Sequence, residues 1–123
     1  MKDDKKTYLP EELESLSFFG MEPILEFPEE EAFYQRSKYM LQNVSNERIQ
    51  FILYPAFNEM ELHVLRPTGE TLSRLRIETI QSLKYVEENG KRLLLDHSDD
   101  EYYRISEIQL DPLFCIIQTE RRK

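Results

Sequence analysis

From Asn46 to Leu110 apolar residues recur with a period of two between short turn-forming runs, and this pattern limits the fold more than any other feature. Side chains two apart share one face of a strand, so the alternation specifies half-buried strands. Ile49, Phe51 and Leu53 alternate with Gln50, Ile52 and Tyr54 before Pro55 ends the run. Met60, Leu62 and Val64 alternate with Glu61, His63 and Leu65, and Pro67-Thr68-Gly69-Glu70 reads as a turn into Leu72–Glu78. With Thr68-Gly69 as that turn, Leu65 faces Leu72, His63 faces Arg74 and Glu61 faces Arg76. Leu62 then meets Leu75 and Met60 meets Ile77, so one register delivers an apolar face and an opposite-charge pair.

Two further apolar-rich runs meet at Asn89-Gly90, a pair that supplies the two positive φ angles of a type I′ hairpin. That turn sets Glu88 opposite Lys91, Glu87 opposite Arg92, Val86 opposite Leu93 and Tyr85 opposite Leu94. Ser98-Asp99-Asp100-Glu101 then returns Tyr102–Leu110 along the same strand, bringing Leu94 to Ile105 and Asp96 to Tyr103. Asp111-Pro112 breaks the chain before a last strand, Leu113–Thr119. Its Leu-Phe-Cys-Ile-Ile run is apolar on both faces, which predicts a central or helix-covered strand and makes Cys115 a core cysteine.

The first third of the chain has another character. Residues 1–7 are polar and expected to fray. Pro10 is placed to open a short helix, with Glu11, Glu12 and Glu14 near its positive end, Leu9, Leu13 and Leu16 three or four apart, and Gly20 as its stop. Pro23 restricts Met21–Phe27 to a connector or an edge strand. Pro28 and the carboxylates of Glu29, Glu30 and Glu31 restart the helix logic. Phe33, Ser37, Met40, Leu41 and Val44 then share one helical face, predicting a second helix over 29–43. A strand competes for the same residues, because Phe33, Tyr34, Tyr39 and Val44 also suit a sheet. The expected class is α+β: one or two N-terminal helices packed on a mostly antiparallel, meander-ordered, curved sheet of about seven strands. Residues 8–120 form the expected single domain, helical over 8–45 and β-meander over 46–120, with a basic tail at 121–123.

The chain of 123 residues carries a net charge of −8. Residues 1–31 hold ten acids and three bases, a net of −7, whereas the rest hold fourteen and thirteen, a net of −1. This balance argues against general affinity for nucleic-acid phosphates or anionic membranes, even though Arg74, Arg76 and Arg104 sit on strands. A solvated face is the plain reading of the acidic quarter; docking on a basic partner is the functional one. Cys115 is the lone cysteine, so no internal disulfide forms. No apolar run is long enough to span a bilayer and the first residues lack the hydrophobic region of a signal peptide, so a cytoplasmic location is expected.

Three glycines leave no phosphate-cradling loop. Asp96-His97-Ser98-Asp99-Asp100-Glu101 is the densest group of hard ligands, but it lacks the calcium-loop spacing and suits an ordinary polar connection. His63 and His97 are the only histidines, and neither has a base-orienting carboxylate and nucleophile in register; Cys115 has no neighbouring base. No catalytic residue, metal or cofactor is therefore assigned. Tyrosines on ordered elements favour protein contacts. Glu29, Glu30, Glu31, Tyr34, Tyr102 and Tyr103 are the expected partner-binding residues of a small non-enzymatic module, an inhibitor or immunity-type factor for a basic protein. The alternative is a small-molecule or catalytic pocket between helices and sheet, with Asp96, His97, Asp99 and Asp100 beside Tyr85 and Tyr103. A structural subunit of a larger assembly is the third reading.

Overall fold

The computed structural model describes residues 8–123, so the fraying expected over 1–7 lies outside the described residues. After helix α1 (Glu12–Phe19) come strands β1 (Ile24–Leu25), β2 (Ser37–Gln42), β3 (Arg48–Tyr54), β4 (Glu59–Leu65) and β5 (Thr71–Ile77). Two 3-10 turns interrupt them, η1 (Ala32–Tyr34) and η2 (Pro55–Phe57). Then follow β6 (Ser82–Val86), β7 (Lys91–Asp96), β8 (Tyr102–Asp111) and β9 (Cys115–Arg122). The α+β class holds, but a single sheet of seven strands does not. Among the described residues nine strands form two antiparallel sheets, β1-β2-β3-β4-β5 and β6-β7-β8-β9. The meander divides between β5 and β6, where Thr79 adopts a φ of 58° and the fully buried Ile80 donates its N–H to the Asn58 carbonyl.

Inner faces of both sheets feed one buried cluster. Phe51, Leu62 and Val64 come from the first sheet, Leu83, Leu93, Leu95, Ile108 and Leu110 from the second, and Phe18 and Phe19 from α1. Each such side chain contributes roughly 1.5–3 kcal/mol relative to exposure. The helix begins and ends as its sequence dictates: the Glu14 carboxylate accepts the Glu11 N–H at 3.0 Å, and Gly20, with φ of 71°, donates to Leu16. Its buried face differs from the expected leucine stripe. Ser15, Phe18 and Phe19 point inward while Leu13 is 74% exposed. Phe18 stacks on Tyr85 at 4.4 Å, and Phe19 lies against Tyr39 at 4.9 Å and Phe51 at 5.1 Å. Three aromatic partners outweigh the smaller leucine face.

The second helix expected over 29–43 is absent; η1 and β2 occupy its place. Gln35 makes the difference, because its buried side chain does the work of backbone partners. Its Oε1 accepts the Phe27 N–H at 2.8 Å, and its Nε2 donates to the carbonyls of Phe27 at 2.7 Å and Glu30 at 3.1 Å. Ser37 and Tyr39 are then buried at strand spacing, and β2 pairs along its whole length with β3. Here sheet pairing overrides helical periodicity. As expected, the Pro23 segment supplies an edge strand, β1.

Between β4 and β5 the pairs Met60–Ile77, Glu61–Arg76, Leu62–Leu75 and His63–Arg74 form as read from the sequence. A bulge between Val64 and Leu65 sets Leu65 against Thr71, not Leu72. The Asn89-Gly90 turn has its positive φ angles, 59° and 118°, yet its register differs by one residue from that of a two-residue turn. Tyr85 pairs with Leu93 and Leu83 with Leu95. Parity decides this: the two-residue register would set the fully buried Leu83 opposite Asp96 and turn one strand's apolar set outward. Gly90 also touches the second sheet's far turn, where a Cβ would run into the Asp111 carbonyl. The β7–β8 register moves by two residues, with Leu94 opposite Glu107 and Asp96 opposite Ile105.

The last strand is neither central nor covered. β9 forms an edge of the second sheet, with Cys115 and Ile117 exposed, so Cys115 is not a core residue. Arg121 and Arg122, expected in a tail, belong to β9. The sheets are tied at this end by Asn43 and Glu47. Asn43 Nδ2 donates to Glu47 Oε1 at 2.8 Å and to the Leu110 carbonyl at 2.9 Å, and Glu47 Oε1 accepts the Phe114 N–H at 2.8 Å.

Candidate functional site

Residues 8–31 contain eight glutamates and no lysine, arginine or histidine, and all eight are exposed. Glu11 and Glu14 serve the start of α1. Among the described residues, no hydrogen bond or ion pair reaches the carboxylates of Glu22, Glu26, Glu29, Glu30 or Glu31. The last three lead directly into η1.

At η1 the acids meet aromatic surface. A three-residue 3-10 turn cannot bury both faces, so Phe33 and Tyr34, edge to face at 5.0 Å, remain 52% and 66% exposed. Pro55 opens the neighbouring turn η2 and Asn58, in the left-handed region, ends it, leaving Phe57 62% exposed and edge-on to Tyr54 at 4.6 Å. The Arg36 guanidinium lies over the Tyr54 ring at 5.8 Å and contacts Glu61 at 3.6 Å.

Between the start of α1, the two turns and strands β2–β3 opens a cleft of about 600 Å³. Leu9, Pro10, Leu53, Pro55, Ala56 and Phe33 give it apolar walls, Glu12 stands at the helix side, and Ser15 and Tyr39 form part of its floor. Ser15 Oγ lies 2.6 Å from the Tyr85 hydroxyl. Burial pushes the Tyr39 and Tyr85 hydroxyls above the ordinary tyrosine range, opposed by their Ser15 hydrogen bonds, so both stay neutral at physiological pH.

The other expected site residues lie on the second sheet, at the β7–β8 connection, and are not brought to η1. Asp99 organises that connection. Its Oδ1 accepts the N–H groups of Glu101 and Tyr102, both at 2.8 Å, and its Oδ2 meets Arg104 Nη1 at 2.5 Å. Those backbone bonds, Tyr102's first, and the Arg104 guanidinium hold the Asp99 carboxyl down to about 2. Asp96 accepts the Ser98 N–H at 3.0 Å. His97 Nε2 lies 2.8 Å from the Oγ of Ser106, a completely buried hydroxyl that also accepts from Gln118, so this serine is closed to substrate. Burial and then Arg104 lower the His97 pKa. Asp100 lies exposed in the same connection. Among the described residues no group of three or more His, Cys, Asp or Glu is placed to hold a metal.

Tyr102 and Tyr103 have cations over their rings. Arg104 stands 5.1 Å from Tyr102, and Arg121 and Lys123 stand 5.0 and 4.9 Å from Tyr103. Glu29, Glu30, Glu31 and Tyr34 therefore gather at one surface, and the remaining six candidates at another. Phe27, Phe33, Ala56 and Phe57 escaped the sequence reading as surface residues; the available signal was Pro55-Ala56-Phe57-Asn58, a connector too short to bury its aromatic ring.

Two antiparallel sheets closed by one aromatic-faced helix define the class of architecture. No family model and no curated protein matches the sequence. Among solved structures, the chain is similar to one from a contact-dependent growth inhibition toxin–immunity protein complex of Klebsiella pneumoniae 342, with a TM-score of 0.72 and 20% identity. That likeness covers 94% of this chain and 97% of the other, and at this identity it is a likeness of fold. No helix among the described residues is long and apolar enough to cross a membrane.

Proposed function

We propose that the chain is a small non-enzymatic protein-binding module of the immunity type, neutralising a basic protein partner in the cytoplasm rather than binding nucleic acid or membrane. The observation that carries this reading is the η1–η2 surface, where exposed aromatic rings adjoin glutamates that no cation among the described residues neutralises. Aromatic side chains supply contact area at low entropic cost, and bare like charges at one end of a molecule accelerate encounter with an oppositely charged partner. The fold shared with a chain from a toxin–immunity complex supports the same reading.

The binding residues are Glu29, Glu30, Glu31 and Tyr34, with Phe33 and Phe57 beside them. The test is capture from the native host at low ionic strength on immobilised wild-type protein, with a Glu29→Lys, Glu30→Lys, Glu31→Lys variant in parallel. One basic protein retained by the wild type, released as salt rises and missed by the variant, is the expected result. Retention that ignores both salt and charge reversal rejects it.

A further inference from the structure

Resting on that reading, we infer that the cleft between α1 and the two 3-10 turns receives an apolar side chain of the partner, carried on a segment flanked by lysine or arginine. The lining selects the anchor. Leu9, Pro10, Phe33, Leu53, Pro55 and Ala56 make most of the wall apolar, Ser15, Ser37, Tyr39 and Asn58 add only uncharged polar groups, and the volume of about 600 Å³ accommodates a large side chain with adjoining backbone. A cation would be held at Glu12, on the helix side of the cleft, and not by these walls. The Glu11 carboxylate is already engaged in the helix cap.

Charge complementarity sets the flanks. Glu12 and Phe33 line the cleft, Glu29, Glu30 and Glu31 run into the turn that carries Phe33, and residues 8–31 contain no compensating base. An apolar anchor is thus desolvated inside while its cationic neighbours stay at the acidic rim, the division of labour of a buried hot spot and a polar edge. A neutral small hydrophobe would fill the walls but leave the rim unused, and a purely basic segment would do the reverse.

The chain contains no tryptophan, so a tryptophan probe reports without background. The protein is titrated with the peptide Lys-Lys-Trp-Lys-Lys, then with Glu-Glu-Trp-Glu-Glu, and Lys-Lys-Ala-Lys-Lys serves as competitor. A saturable blue shift is expected with the first peptide alone, with the alanine peptide competing at least about tenfold more weakly. Ala56→Phe, which fills the cleft, should weaken the first peptide about tenfold while keeping its salt dependence. Ala32→Leu on the facing wall does the same if Ala56→Phe melts early. Equal competition by the alanine peptide, an unshifted emission, or unchanged affinity in both folded variants overturns the inference. The broader reading is judged separately by capture: a basic partner bound by Ala56→Phe with undiminished affinity removes only the cleft, whereas no salt-sensitive partner at all removes both.

Discussion

The η1 end and the β7–β8 connection look alike as sequence, each joining a run of acids to tyrosines, yet the structure uses their carboxylates in opposite ways. At the connection Asp99 binds two backbone N–H groups and a guanidinium, and Asp96 closes a local turn through Ser98. The tyrosines there lie under cations. Among the described residues, the aromatic rings at η1 pair only with each other, and Glu29, Glu30 and Glu31 are exposed to solvent. A short side chain one or two bonds from the backbone is consumed by the turn it builds, as aspartate is here; glutamates entering a 3-10 turn are not. The number of acids in a segment therefore says less than whether the local backbone occupies them.

The sharpest way to break this contrast is charge reversal. Glu29→Lys, Glu30→Lys and Glu31→Lys together should weaken partner binding on the order of a hundredfold at low salt, mainly through the association rate, while changing stability by less than about 1 kcal/mol. Stopped-flow association beside thermal melting measures both; a large fall in melting temperature would mean that these acids are structural after all. Ser15→Ala beneath the cleft should do the converse, costing roughly 1–3 kcal/mol because the Tyr85 hydroxyl loses its buried partner, with rim charge untouched. Denaturant titration reads that loss. Asp99→Asn should lower the melting temperature and leave partner affinity within about twofold, since its partners belong to its own connection.

What was legible in the sequence followed from period and charge. Ile49 to Leu53 and Met60 to Val64 announced their strands, and opposite charges at Glu61 and Arg76 located one register. Register failed where the turn was judged alone. Asn89-Gly90 identified the reversal, but the parity of Leu83, Leu93, Leu95 and Ile108 set the pairing, and Gly90's second constraint came from Asp111, far along the chain. The expected helix over 29–43 failed because Gln35, an unremarkable polar residue in sequence, is buried as a hub for the backbone. Cys115 misled because an apolar run at a sheet edge has the composition of a buried strand. At the candidate site the acids were readable, and a pocket between helix and sheet was an alternative expectation, but its lining was not legible, since it is assembled from α1, η1, η2 and β2–β3 and contains none of the residues expected there.

The smallest expected effect separates two groups within the β7–β8 connection by pH. His97, lowered first by burial and then by Arg104, has a folded pKa below the ordinary 6.5. As pH falls from 6.5 the unfolded chain takes the proton first, so this contribution to stability is present above 6.5 and declines toward the folded value. Asp99, with a folded pKa of about 2 against 3.8, contributes stability that is present above 3.8 and fades as pH falls toward 2. A plot of denaturation midpoint against pH should thus descend in two separate windows. His97→Gln should flatten the upper one alone and Asp99→Asn the lower one alone. If Asp99→Asn instead flattened both, His97 would be responding to the Asp99–Arg104 pair rather than to its own burial, and the connection would titrate as one unit.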